Sequence, residues 1–377
     1  MTYAQFDRMK LVIKPLSERK NKVQIVRDFV SLDSKPKKTS DYFNLIVNTT
    51  ADKIRKARSN NTSIMLTFGA HSIKNGLGPV IIRLMENGWL THLATNGAGI
   101  IHDWEFAYQG ESSEDVKANV ARGQFGIWEE TGKYINLALV VGAFEGKGYG
   151  ESVGSMIQNE GVNIPTENEI NKIVQDYNRE DLDRAAAALD LLETIRRFKL
   201  KPGWMVIPFP FKQYCVQAAA FKLGIPFTGH PMIGHDIIYT HPMNQGAALG
   251  RTALRDFLVF ADSVNRLEGG VYMSVGSAVM SPMIFEKSLS MAQNLHIQRG
   301  IHINNHFMLI VDLAKSGWDW QKNGEPPASD PGYYLRYLKT FSRMGGIMQY
   351  LCADNRDFLL ALYHNLNSAG GTQKKRA

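Results

Sequence analysis

Cysteine is scarce in this chain: Cys215 and Cys352 are the two in 377 residues, too few for a disulfide framework and without the spacing of a metal site. Long apolar runs are missing too. No stretch approaches the ~20 residues that cross a bilayer, and the opening MTYAQFDRMKLVIKPLSERK lacks the apolar core of a secretory signal. These absences predict a cytoplasmic protein with no membrane partner. Internal repeats are absent as well. The net charge of +7 invites a nucleic-acid reading, but it is unevenly spread. The first sixty residues and the tail GGTQKKRA hold all of the excess, so the body between them is mildly acidic. Basic ends of this kind are expected to be solvated arms, and nucleic acid is not an expected partner.

What is present is an ordinary globular composition, 44% hydrophobic and 21% charged, with enough chain for a large core. Residues 1–60 read as a basic arm plus one helix. From Ser63 the pattern changes. SIMLTFGA is a short apolar run that stops at glycine, and GLGPVIIRLMENG follows as a helix with Pro79 in its first turn. LTHLAT and GIIHDWEFAYQG then repeat strand and helix. After a mostly helical stretch, 111–200, that reads as packing, the alternation resumes. Strands are expected at GIPFTG, DIIYTH, GGVYMSVG, HFMLIVDL and GIMQYLC, with helices at GAALGRTALRDFLVFADSV and MIFEKSLSMAQNL. The sequence therefore predicts an α/β fold, a doubly wound and mostly parallel sheet with helices on both faces, over residues 61–368. Residues 369–377 read as a flexible basic tail.

In such a sheet, ligands sit at the carboxyl ends of the strands, where helix amino ends offer free N–H groups. NGAGII, residues 96–101, occupies that place. Gly97 and Gly99 allow close backbone approach, although His102 stands where a dinucleotide fingerprint has its last glycine. Glycines that serve a strand-to-helix turn alone account for the stretch equally well. GAFEGKG, residues 142–148, falls one residue short of a phosphate loop and lacks its Ser or Thr, so it reads as a surface loop. GHPMIGHDIIYTHP gathers His230, His235, Asp236 and His241, which raises a zinc site and a metal-assisted hydrolase as an alternative function. Strand alternation would send Asp236 and His241 to opposite faces and argues against it; Asp236 suits a cationic substrate better. In SDPGYYLRYLKTFSR, Arg336, Lys339 and Arg343 share a helix face, which spacing alone explains as a solvated basic face.

Taken in order, these segments resemble deoxyhypusine synthase. The resemblance is carried by HSIKNGLGPVIIRLM, TNGAGIIHD, GHDIIYTH, SVGSAV, SDPG and CADN, over residues 64–108 and 225–365. It implies a Rossmann-like sheet binding NAD at subunit contacts within a homotetramer, and aminoalkyl transfer from spermidine or a related amine through an imine. It also implies that His71, Ser72 and Asn75, with Asn96, Gly97, Ala98, His102, Gly276, Asp354 and Asn355, line NAD. Asp236 and Asp330, with His235, would hold the amine. A carboxylate is the right group there, because removing hydride beside an amine leaves an iminium cation. Two departures stand out. Arg343 falls where the family has its imine-forming lysine, and an arginine stays protonated; Lys339, one turn earlier, is the alternative carrier. Pro282 takes the place of a family histidine. These departures favour a small amine as acceptor over a protein lysine. A chain that keeps the sheet and NAD but acts as a non-transferring regulatory protein is the competing class.

Overall fold

Six of the short runs become strands in the computed structural model, which describes residues 3–175 and 182–368. They are β1 (Ile64–Phe68), β2 (His92–Asn96), β3 (Phe227–His230), β4 (Val271–Val275), β5 (Phe307–Asp312) and β6 (Ile347–Cys352). All neighbouring pairs are parallel, in the order β3-β2-β1-β4-β5-β6. The sheet is doubly wound because its strands are apolar on both faces. In β1, Ile64, Leu66 and Phe68 enter one core, which also holds Ile54, Ile81, Trp104 and Leu359 from the helices α1 (Asp41–Ser59), α3 (Gly78–Glu86), α4 (Gly97–Gln109) and α7 (Asn355–Ser368). Met65, on the opposite face, enters a second core with Phe260 and Phe285 of α5 (Gly246–Asn265) and α6 (Met280–Ile297). The five-residue helix Ala70–Lys74, α2, follows β1 directly.

Between β2 and β3 the described residues are mostly helical and include a small antiparallel pair, Gly161–Ile164 on Gly203–Val206. Among the described residues no helix is long and apolar enough to cross a membrane. The tail 369–377 lies outside the described residues.

Two expectations give way. DIIYTH is not a strand: Ile237–Thr240 forms a 3-10 turn. Its backbone carbonyls find partners elsewhere, Tyr239 O and His241 O accepting from the Arg8 guanidinium at 2.8 and 3.3 Å, while Thr240 Oγ1 donates to Gly126 O at 2.7 Å. With its acceptors already satisfied, the segment gains nothing by joining the sheet edge. Nor is the arm solvated throughout. Leu16 and Ile25 are buried in the first core, and Asn21–Gln24 pairs antiparallel with Glu111–Glu114. Residues 111–114, read from the sequence as the start of a packing segment, thereby join the arm to α4.

Candidate functional site

The strand order turns back between β1 and β4, where the connections leave in opposite directions, so their carboxyl ends form the switch point of the sheet. Two glycines make it. A side chain on Gly69 would overlap the carbonyl of Gly276, and Gly276 itself sits at φ +60, which a side chain would strain. Asn355, at the amino end of α7, lies against Gly276 and donates to Ser72 Oγ at 3.3 Å. Ser72, Gly276 and Asn355 therefore meet, and α2 packs on α4, so the segments 70–75, 96–102 and 352–355 converge on the carboxyl edge. His71 and Asn75 are exposed there. Asn96 caps α4 through Oδ1, which accepts from Gly99 N at 2.9 Å. Asp354, exposed, accepts from Arg356 N at 2.8 Å.

Beside this edge, at the amino end of α4, lies a cavity of about 480 Å³. The arm (Arg19, Lys22), α2 (Lys74), α4 (Ala98, His102, Glu105), residues 113–117 where the strand Glu111–Glu114 passes into the helix Val116–Ala121, and residues 235–237 wall it. Asp236 is its most exceptional group. The carboxylate presses on Gly97, where any side chain would overlap it, and its Oδ2 is buried with no hydrogen-bond partner among the described residues. Burial without a compensating donor pushes its pKa up to about 7. His235, next to it, is exposed and also lines the cavity.

The opposite wall is a connected polar chain. Arg19 Nη1 donates to Glu105 Oε1 at 2.7 Å, with 2% and 1% of the two side chains exposed. Ser112 Oγ donates to Glu105 Oε2 at 2.6 Å, Thr131 Oγ1 donates to Oε1 at 3.1 Å, and His102 Nδ1 lies 2.6 Å from Ser112 Oγ. Burial acts to raise the pKa of Glu105, but the charge and hydrogen bond of Arg19 outweigh it and hold the group low. The pKa of His102 is lowered too, but there burial is the cause and prevails over the pull of Glu105. Glu114 is satisfied by Gly126 N, Trp128 Nε1 and Asn119 Nδ2, and Asp115 by Lys22 and the cap of Ala118 N. Once these partners are matched, the cavity retains Asp236, Lys74, Lys117 and Arg19 Nη2 without an ion pair or hydrogen bond to the protein among the described residues. A ligand with a positive group and a negative group would complement that set. Ser113 in the same wall holds φ +73, an uncommon conformation for a non-glycine residue.

The other predicted residues lie apart from this cavity. Lys339 Nζ is 3.4 Å from Glu325 Oε1 and 3.5 Å from the Tyr333 ring centroid, so its ammonium is engaged by a carboxylate and a π face. Arg343 makes two 2.7 Å bonds to the same Glu325. Asp330 Oδ1 accepts from Gly332 N at 2.7 Å, capping the turn Pro331–Tyr334. His230, fully buried, bonds Thr228 Oγ1 at 2.9 Å and packs edge-on against Phe260; burial lowers its pKa to about 3. Among the described residues no group of three or more His, Cys, Asp and Glu could hold a metal ion, His230, His235 and Asp236 included.

Arg19, Glu105, Ser112, Lys74 and Lys117 enter the site without having been singled out from the sequence. One signal was present: HDWE puts an acid three residues after His102 on an otherwise apolar helix, and a buried acid needs a partner. Its neighbour Asp103 has an explanation of its own. The carboxylate accepts from Val216 N, Gln217 N and Cys215 Sγ, and so caps the helix Val216–Leu223.

Comparison with protein-family models and with curated proteins gives no match. Among solved structures, the chain is similar to a conserved putative LOR/SDH protein from Methanococcus maripaludis, at 12% identity and a TM-score of 0.45, over 89% of this chain and 74% of that one. It is also similar to AgrE in a ternary complex with ornithine and NAD+, at 14% identity and a TM-score of 0.42; there it covers 88% of itself but spans 34% of AgrE. A putative deoxyhypusine synthase from Entamoeba histolytica matches at 10% identity and a TM-score of 0.42, over 88% of this chain and 90% of that one. Likenesses this distant concern the path of the chain, and no functional assignment rests on them.

Proposed function

We propose that this chain is an NAD-dependent enzyme acting on a polyamine or related amine, of the aminoalkyl-transferring kind. The observation that carries the reading is Asp236: a largely buried carboxylate with no protein partner, held against the amino end of α4 and facing a ligand-sized cavity. A carboxylate in that setting lacks a cation, and a substrate ammonium supplies one. Asp236 would bind the ammonium and then offset the positive charge that grows at the carbon–nitrogen centre.

The residues present fit a dinucleotide. Gly69 and Gly276 allow close backbone approach at the switch point, Asn355 would turn a polar side chain to a ligand there, and Lys74 and Lys117 in the neighbouring cavity carry charge that phosphates would neutralise. Bound NAD supplies the hydride acceptor. A homotetramer with sites at subunit contacts and a cytoplasmic location belong to the same reading, with Asp330, Lys339 and Arg343 reaching a neighbour's cavity.

A second reading, binding of NAD and amine without transfer, is favoured by Lys339, whose ammonium already has a carboxylate and a ring for company. Borohydride trapping with NAD and spermidine separates the two. The first reading expects a covalent adduct that Lys339→Ala abolishes, and the second expects none. Isothermal titration with spermidine tests both, because Asp236→Asn should abolish binding. Equal affinity in that variant would refute the amine assignment.

A further inference from the structure

The chain His102–Ser112–Glu105–Arg19 fixes more than packing. Glu105, ionised beside Arg19, has no proton to give, so the 2.6 Å bond from Ser112 Oγ uses the one proton of that hydroxyl. The second 2.6 Å bond of the same oxygen, to His102 Nδ1, must then have the imidazole as donor. Nδ1 carries the proton and Nε2 keeps its lone pair. Among the described residues Nε2 makes no hydrogen bond, and His102 lines the cavity that Asp236 faces. Burial is the largest influence on the ring and disfavours the cation; of the groups around it Glu105 favours the cation while Lys74, Arg19 and His71 oppose it, so the imidazole is held toward its neutral form.

We propose that His102 is the catalytic base of this site, its Nε2 taking the proton from the ammonium that Asp236 holds. The N–H bond breaks, its electron pair stays on the substrate nitrogen, and an Nε2–H bond forms; nitrogen with a free pair is what hydride loss from the adjacent carbon requires. Ser112, Glu105 and Arg19 are positioning residues that set the tautomer and brace the imidazolium once it forms, with Glu105 as its counter-charge through one hydroxyl. The inference rests on the amine reading of Asp236. It places the base on α4, not on α6, where Pro282 stands in place of a histidine of the family that the sequence resembles.

Two measurements on the full-length protein test it. Long-range proton–nitrogen NMR of histidine-labelled protein, with His102 assigned from the signals lost in His102→Asn, should show the Nδ1–H form, and Ser112→Ala should turn it to Nε2–H. An Nε2–H ring in the wild type overturns the proposal. Turnover of NAD with spermidine should fall roughly 10²–10⁴-fold in kcat for His102→Ala with KM little changed, and added imidazole should restore part of it. Turnover that survives in His102→Ala, or a loss that imidazole does not touch, refutes the base while leaving the amine site standing. Failure of Asp236→Asn to weaken spermidine binding would instead remove the reading beneath it.

Discussion

Replacing Arg19 by methionine should expose how much of the fold leans on the arm. Methionine keeps the unbranched apolar stem and removes the charge. The wild-type pair has 2% and 1% of its side chains exposed, so solvent does little to screen it, and breaking it leaves Glu105 buried and uncompensated. Loss of one partner from such a pair costs about 3–5 kcal/mol. The sign with pH follows. In the wild type the folded pKa of Glu105 is depressed, so its stabilisation is present above the unfolded value of about 4.3 and is lost as pH falls through the folded one. Without Arg19, burial dominates and the pKa rises above the unfolded value. The variant then loses stability as pH climbs from about 4, and the gap from wild type is widest at neutral pH. Urea unfolding at pH 7 and pH 4.5 measures both points. Arg19→Met/Glu105→Gln, which removes the buried charge, keeps an acceptor oxygen for one of Ser112 and Thr131 and turns an NH2 donor to the other hydroxyl, should recover at least half of the loss. A single variant within about 1 kcal/mol of wild type at pH 7, or a gap that does not shrink in acid, would refute the argument.

Gly97→Ala should favour helix formation by up to about 1 kcal/mol, yet its methyl group would push the Asp236 carboxylate aside. Titration calorimetry should therefore find spermidine affinity sharply reduced with the thermal midpoint nearly unchanged. Spermidine affinity in the wild type should level off above about pH 8 and fall roughly tenfold per pH unit well below pH 7, because burial raises the Asp236 pKa to about 7; a pH-independent affinity from about 5 to 8 would contradict this. Asp256 accepts from Gly150 N and Gly229 N at 2.8 and 2.5 Å, and burial raises its pKa to about 8. Its unfolded form ionises first, so it lowers stability progressively from about pH 4 to pH 8. Asp256→Asn, scanned by calorimetry, should lose that slope and unfold at a higher temperature than wild type at pH 8.

The sheet was legible because each strand is a short apolar run cut off by a glycine or a polar residue, and because both faces are covered, so IMLTF and VYMSV need no alternation to read as strands. The glycine turns at 69, 97 and 276 were legible for the same local reason. DIIYTH misled because a turn and a strand can share an alternating pattern. Its fate is decided by Arg8, more than 230 positions away. Arg19 was hidden for a like reason: an arginine in a polar stretch carries no periodicity, and its carboxylate lies 86 residues on. Asp236 could be picked out as an acid of the right type. Its want of a partner is a property of three-dimensional packing.

The arm also sets an order of events during synthesis. Arg19 finds its carboxylate at Glu105, but Arg8 finds its acceptors at Tyr239, His241 and Asn244, so the arm cannot settle fully until the chain has been made through residue 244. Closing loops of that length comes late, after the local helices and strands have formed. A nascent chain therefore has a period in which the sheet is assembling while the cavity still lacks the wall that carries Asp236, and substitutions at Arg8 would prolong that period without touching the sheet itself.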